Sequence, residues 1–263
     1  MSSESASAGA LDIGRVIQDL FAALGRNFVT FAILAVVLTG VPTAVLYGLQ
    51  GAILGPVVGG AGATAAFGSN FGWLGLTTFV SAVFGVILQA TIIYGTVSDL
   101  NDRQVSVADS LSVGLRALLP LIGLAILMGL ALAVGFILLI VPGVMLAIAW
   151  CVAVPSYVVE QTGVIASFGR SAELTRGNRW RIFGLFLIYI VAVIILQLLL
   201  TMFGGLFSLA TIGGFPLVTR LLILPLIQVA NALIGAVGVA VLYVDLRRLR
   251  DGVGPQGLAA IFD

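Results

Sequence analysis

The segment RSAELTRGNRWRI, residues 170–182, concentrates side chains that could bind or transform a phosphate. It carries four of the twelve basic residues of the chain, all of which are arginines: Arg170, Arg176, Arg179 and Arg181. Guanidinium groups bind phosphate through paired hydrogen bonds, so a lipid headgroup or a phosphorylated ligand would fit here. Trp180 is typical of the aromatic anchors found at membrane surfaces. Plain anchoring to the membrane surface is the simpler alternative.

Catalysis at this segment would need a general acid or base and a nucleophile or a metal. The acidic neighbours are Glu160, Glu173 and Asp99, and their spacing fits neither a paired-carboxylate site nor a metal site. The chain has no histidine and one cysteine, which excludes Ser-His-Asp and Cys-His catalysis and argues against haem and zinc. We therefore expect no enzyme activity, no metal and no cofactor.

The composition indicates an integral membrane protein rather than a soluble domain. The sequence has 263 residues, of which 60% are hydrophobic and 9% are charged. Soluble domains carry about 25% charged residues. The net charge of +1 argues against a nucleic-acid partner, which would need a strongly basic surface.

Six apolar runs are long enough to cross a bilayer as helices of about 20 residues. We predict spans at residues 28–49, 73–98, 119–140, 144–159, 182–203 and 221–244. Eleven of the twelve arginines then fall on one side of the membrane, and Arg220 begins the last span. By the positive-inside rule, both termini are predicted to be cytoplasmic in a multi-pass protein of the bacterial inner membrane.

Two of the three connections on the opposite side have recognisable turn or loop composition. Residues 140–143 read Ile-Val-Pro-Gly, which predicts a type II turn between the third and fourth spans. Residues 50–72 contain seven glycines and no charge, which predicts a loose loop rather than a continuous helix.

Amphipathic segments precede the odd-numbered spans. Residues 11–25, 106–118 and 164–176 place apolar side chains at three- and four-residue spacing and charged side chains on the other face. Such segments are typical of helices in the membrane interface. The fold class is therefore predicted as all-α, with six transmembrane helices arranged as three hairpins, each preceded by an amphipathic interfacial helix.

The even-numbered spans also end alike. Each finishes with a tyrosine and then an acid: Tyr94 and Asp99, Tyr157 and Glu160, Tyr243 and Asp245. We interpret the single domain at 11–251 as three repeats, at 11–99, 106–160 and 164–245, with a disordered tail at 1–10 and a second tail at 252–263. The alternative is that an alternating topology imposes the likeness on any six-span chain.

Uncharged polar residues inside the spans allow a second kind of site. They include Gln89, Gln197, Gln228 and Asn231. Interhelical hydrogen bonds are the ordinary use of such residues. The alternative is a hydrophilic transport path at the repeat interface, as in transporters built from repeats.

Three motifs in order resemble a known family. These are VPG at 141–143, VPSYVVE at 154–160 and RSxxLTxGxxWRIF at 170–183. The sequence resembles the membrane domain attached to some bacterial glycerophosphodiester phosphodiesterases, and six-span bacterial proteins similar to it. In those enzymes the chemistry belongs to a separate soluble domain, which we expect this chain to lack. The resemblance implies a bacterial cytoplasmic-membrane location and a link to glycerophospholipid or envelope metabolism.

These observations favour a non-enzymatic, lipid-interacting or scaffold protein. Its expected partners are membrane lipids, above all anionic phospholipids held by the 170–181 arginines. A homo-oligomer or a partner membrane protein remains open. The alternative function is a small-molecule or lipid transporter.

Overall fold

The structure is a computed structural model. It describes the backbone of residues 11–60, 63–100, 107–210 and 219–252, and the side chains of residues 11–50, 72–97, 111–199, 202 and 221–252. The predicted tail at 1–10 lies outside these residues, as does 253–263.

The described residues form helices joined by short turns, and no strand occurs among them. The prediction of an all-α membrane fold is confirmed. Six helical segments are long and apolar enough to cross a bilayer: Phe28–Gln50, Gly72–Val97, Leu118–Leu138, Ile140–Glu160, Arg179–Leu199 and Leu221–Asp251.

Among the residues that the structure describes, eleven α-helices build these segments and the elements between them. They are α1 Ile13–Arg26, α2 Phe28–Ala35, α3 Val41–Gly60, α4 Ala63–Leu100, α5 Val107–Arg116, α6 Leu118–Leu138, α7 Ile140–Ala149, α8 Ala153–Glu160, α9 Val164–Leu174, α10 Arg179–Ala210 and α11 Leu224–Asp251.

Two π-helical turns interrupt the first and sixth spans. They cover Val36–Gly40, before α3, and Thr219–Ile223, before α11. Each is followed by a proline at the second residue of the next helix, Pro42 or Pro225. A proline leaves a carbonyl without its usual amide partner, and a local π adjustment is one way that membrane helices accommodate it.

The amphipathic helices are present at the predicted places as α1, α5 and α9. Asp12 is the N-cap of α1, because its Oδ1 accepts hydrogen bonds from the amides of Gly14 at 2.9 Å and Arg15 at 3.2 Å. Residue 106, the first of the predicted segment 106–118, lies outside the described residues.

Each amphipathic helix packs against the end of an even-numbered span. α5 contacts α4, α9 contacts α8, and α1 contacts α11, so that the first helix meets the last. Small residues allow the close approach. A Cβ atom at Gly114 of α5 would lie 2.5 Å from Thr91 Oγ1 of α4, and one at Gly238 of α11 would lie 3.2 Å from Leu20 Cδ1 of α1. We call the end of the bundle formed by these contacts the arginine side.

The third and fourth spans form a tight hairpin, but the predicted type II turn at Pro142-Gly143 is wrong. The chain reverses at Leu139, whose backbone is extended, and Pro142 lies in the first turn of α7. Proline is tolerated there because the first amides of a helix have no intrahelical partner. Gly143 instead permits contact with α6, since a Cβ atom there would lie 2.7 Å from the Phe136 ring.

The glycine-rich connection is also not the loop that its composition predicted. α3 continues to Gly60 and α4 begins at Ala63, so the described backbone is helical on both sides of residues 61–62. Glycine is more frequent in membrane helices than in soluble ones. A helix satisfies every backbone hydrogen bond internally, and this requirement of an apolar medium outweighs the low helix propensity of glycine in water.

The buried core is unevenly shared among the spans. Within the first, second, fourth and sixth spans, 33–39% of the most apolar window is buried, against 11% in the third and 6% in the fifth. The core therefore lies between α1, α2, α4, α8 and α11, with Phe31, Ile92 and Tyr243 among its fully buried side chains. The third and fifth spans present most of their surface outward.

Candidate functional site

The fourth span breaks between α7 and α8, and the arginine-rich segment closes the break. Ser171 Oγ of α9 donates to the Ala149 carbonyl at 2.8 Å and accepts from the Val152 amide at 3.3 Å. Thr175 Oγ1 donates to the Ser171 carbonyl at 3.0 Å. An interrupted helix leaves backbone groups unpaired, and buried hydroxyls supply the missing partners here.

Arg170 forms the centre of a set of charged side chains at the arginine side. Its Nε donates to both carboxylate oxygens of Glu160, at 2.9 and 3.1 Å, and its Nη2 donates to Asp251. Its Nη1 also lies 3.5 Å from Glu173. The Arg170 side chain is only 18% exposed. Burial alone would lower its pKa, but the hydrogen bonds to Asp251 and Glu160 raise it above the ordinary arginine value.

The last span completes this set through its tyrosine and arginine. Tyr243 OH donates to Glu160 Oε1 at 2.8 Å, and Arg247 Nη1 donates to Tyr243 OH at 3.3 Å. Arg247 Nε lies 3.5 Å from Asp251. We call the whole set the ionic cluster; its members are Glu160, Arg170, Glu173, Tyr243, Arg247 and Asp251.

The ionic cluster joins α8, α9 and α11, and its composition suits a structural role better than anion binding. Three carboxylates face two guanidinium groups, so its formal charge is −1. No group of acidic, cysteine or histidine side chains among the described residues could hold a metal ion. Buried pairs of this kind are costly to break, because removing one member strands the charge of the other.

The second half of the segment ties down the beginning of α1. The Leu11 amide donates to Asn178 Oδ1 at 3.0 Å, and Arg181 Nη1 donates to the Leu11 carbonyl at 2.7 Å. Both backbone polar groups of Leu11 are therefore satisfied by residues about 170 positions further along the chain. Asn178 is buried, and Gly177 before it adopts a positive φ of 92° that favours glycine.

Arg176, Arg179 and Trp180 face outward around a groove. Arg176 is exposed and makes no ion pair with the described residues, and Trp180 is 85% exposed. Arg179 is half-buried, and its Nε is shielded from solvent without a hydrogen-bond partner among the described residues. Trp180 packs edge-on against Phe183, with ring centroids 6.1 Å apart.

The groove lies between α7 and the start of α10. Its volume is about 490 Å³. It is lined by Val144, Met145 and Ile148 of α7 and by Arg179, Trp180 and Phe183 of α10. We call it the α7–α10 groove. A mainly apolar groove whose lining includes one half-buried guanidinium group matches an amphiphile with an anionic end.

The structure divides the five side chains that the sequence suggested for phosphate binding. Arg179 and Trp180 line the α7–α10 groove, and Arg176 is exposed beside Gly177, which also lines it. Arg170 is bound within the ionic cluster, and Arg181 holds the Leu11 carbonyl.

The four polar residues suggested for a transport path lie on three different spans and in different surroundings. Gln228 lines a polar cavity between α3, α4 and α11. Gln89 is half-buried in α4, and Gln197 is exposed on α10. The backbone carbonyl of Asn231 accepts a hydrogen bond from Tyr189 OH at 3.4 Å.

The ionic cluster was not predicted from the sequence. Its signal was the tyrosine followed by an acid at the end of each even-numbered span. Tyr243 from the last span bonds Glu160 from the fourth, so the pattern marked partners in two different units rather than a local pair.

The fold and the site define a class, that of polytopic helical membrane proteins with amphipathic helices packed on one end of the bundle. Residues 11–248 match the model of a family described as a domain of unknown function, DUF7847. The chain belongs to this family. No curated protein and no solved structure matches it. The family description carries no activity, so the resemblance to the phosphodiesterase membrane domain stays a prediction.

Proposed function

We propose that this protein is a non-enzymatic lipid-binding component of a bacterial cytoplasmic membrane, and that it holds an anionic phospholipid in the α7–α10 groove. The phosphate would lie against Arg179 and Arg176, and an acyl chain would lie along Val144 and Met145. Its role would be that of a scaffold or accessory protein in glycerophospholipid or envelope metabolism, as the family resemblance implies.

The buried Nε of Arg179 carries this proposal. A guanidinium N–H that is withdrawn from water without an acceptor is destabilising by about 1–3 kcal/mol. A phosphate oxygen would remove that cost and would form a charge-assisted hydrogen bond. The apolar lining beside Arg179 favours a lipid over a soluble phosphate, because these side chains contact an acyl chain and offer no hydrogen bonds to a free anion.

The placement of the other arginines makes the proposal specific. Arg170 and Arg181 are already bound to protein groups. Arg176 and Arg179 are the arginines of the segment whose side chains make no hydrogen bond or ion pair with the described residues. The exposed Trp180 beside them has the amphipathic shape that favours the headgroup region. The arginine side would then face the cytoplasm, where anionic lipids are attracted to basic residues.

Lipid retention by the purified protein tests the proposal. We would exchange it into mixed micelles that contain phosphatidylglycerol or phosphatidylcholine and count bound lipids by native mass spectrometry. Arg179→Gln should lower the affinity for phosphatidylglycerol about tenfold, which corresponds to about 1.4 kcal/mol. The matched control is Arg116→Gln, since Arg116 is exposed at the end of α5 and does not line the groove.

A second variant tests the acyl-chain part of the site. Met145→Trp fills the groove from a position that is 51% exposed, so it should block the lipid without disturbing the core. Equal binding of both lipids, or equal losses in Arg179→Gln and Arg116→Gln, would contradict a specific site. Displacement of phosphatidylglycerol by inorganic phosphate alone would assign the arginines to a soluble anion instead.

A further inference from the structure

We propose a second binding site, for a small uncharged molecule rich in hydroxyl groups such as a sugar or polyol, in the polar cavity between α3, α4 and α11. Its volume is about 600 Å³. Ligand sites in proteins commonly measure about 300–1,000 Å³. Gln228 in its lining is 19 residues from Arg247, about 28 Å along α11, so the cavity lies far from the arginine side.

The lining supplies many hydrogen-bonding groups and no charge among the described residues. We call this the polar cavity; the polar and aromatic side chains in its lining include Tyr47, Gln50, Trp73, Thr78, Ser81 and Gln228. A phosphate or a zwitterion would require opposite charges in the lining, and a metal ion would require carboxylates. Amides and hydroxyls, which both donate and accept, match the hydroxyl groups of a neutral solute.

Trp73 provides an independent indication of a missing partner. It lines the cavity, and its Nε1 is shielded from solvent without a hydrogen-bond acceptor among the described residues. An indole N–H in an apolar surrounding usually finds an acceptor. A hydroxyl oxygen of a bound solute would supply one. The cavity also offers the aromatic rings of Trp73 and Tyr47, which pack against the C–H surfaces of such molecules.

The backbone around the cavity departs from the regular α-helix on two sides. The π-helical turn Val36–Gly40 directly precedes α3, which carries Tyr47 and Gln50. The second π-helical turn, Thr219–Ile223, directly precedes α11, which carries Gln228. A π turn rotates the residues that follow it about the helix axis, and such turns are frequent at functional sites.

Fluorescence of Trp73 tests this site directly. The chain has three tryptophans, so Trp150→Phe with Trp180→Phe leaves Trp73 as the reporter. Titration with glucose and with sorbitol should give a saturable change in its emission, and gluconate and glucosamine should give none. Gln228→Leu should weaken the response at least tenfold. Gln197→Leu is the matched control, because Gln197 lies on α10 and does not line the cavity.

Chemical protection gives a second readout that does not depend on Gln228→Leu folding. In a Cys151→Ala background, Ser81→Cys should react with a membrane-impermeant maleimide, and saturating sorbitol should slow the reaction at least threefold. A linear fluorescence response without protection would identify a water-filled vestibule and would overturn the proposal. Equal protection by gluconate, or no response to either neutral probe, would overturn it as well.

Discussion

The two halves of the 170–181 segment, residues 170–175 and 176–181, carry one and three arginines and use them differently. In the first half, Arg170 enters the ionic cluster and Ser171 closes the break in the fourth span. In the second half, Arg181 holds the Leu11 carbonyl, and Arg176 and Arg179 face outward around the groove. The arginines of one segment therefore fall into two groups. Arg170 and Arg181 bind protein groups, whereas the side chains of Arg176 and Arg179 make no hydrogen bond or ion pair with the described residues. The difference follows from the carboxylates that α8 and α11 bring to Arg170 and do not bring to Arg179.

Removing Arg170 should have the largest effect on stability. Arg170→Gln leaves the three carboxylates of the ionic cluster with Arg247 as its remaining guanidinium group, and we expect a loss of about 2–4 kcal/mol, less than for a fully buried pair because the Arg170 side chain is 18% exposed. Equilibrium unfolding in mixed micelles with increasing dodecyl sulfate measures this loss. Arg176→Gln is the matched control. The comparison between the two halves fails if both variants unfold at the same dodecyl sulfate fraction.

Ser171→Ala should have the next largest effect. The variant removes the acceptor of the Val152 amide and the closer of two hydroxyl donors to the Ala149 carbonyl, at a cost of about 1–2 kcal/mol in the same unfolding assay. Ser167→Ala is the control, because the Ser167 hydroxyl bonds the Gly163 carbonyl, which already accepts from the Ser167 amide. A larger loss in Ser167→Ala would show that the break between α7 and α8 is held by other contacts.

Asn178→Ala should loosen α1 locally, at a cost of about 1 kcal/mol. It removes the acceptor of the Leu11 amide and leaves the ionic cluster in place. Hydrogen exchange measured by mass spectrometry should speed up in the first turn of α1 and stay unchanged in α9. Uniform acceleration across both helices would instead indicate global destabilisation.

Arg176→Gln should have the smallest effect on folding, within about 0.5 kcal/mol, because the side chain is exposed. Its effect should appear in lipid binding instead, as a lower retention of phosphatidylglycerol with unchanged retention of phosphatidylcholine. A loss of stability without a change in lipid retention would show that Arg176 has a structural role like that of Arg170 and not the lipid-binding role proposed for Arg179.

Much of the fold could be predicted from the sequence because hydrophobicity and charge act along the chain. The six spans follow from the lengths of the apolar runs, and α1, α5 and α9 follow from the spacing of apolar residues. The helical course of residues 50–60 and 63–72 was missed because turn and propensity rules derived in water overstate the effect of glycine in an apolar medium. Pro142-Gly143 was misjudged for a related reason, since the first turn of a helix also accepts proline.

The candidate site was less predictable because its contacts join residues distant in sequence. Arg170 and Glu160 are ten residues apart, but Arg170 and Asp251 are 81 apart, and Tyr243 and Glu160 are 83 apart. The spacing of residues within one segment does not predict which arginine will pair with a carboxylate from another span. The sequence identified the right segment for both uses of arginine, and packing decided which residue serves which.

The contact between α1 and α11 has a consequence for the order of assembly during synthesis. The two helices are separated by more than 190 residues, and chains are made at about 5–20 residues per second, so α1 must wait about 10 s or longer for its partner. During that interval the apolar side chains of α1 must be buried elsewhere, and the membrane surface is the nearest apolar environment. The apolar face of α1 would then have two successive partners, first the membrane surface and then α11 in the folded bundle.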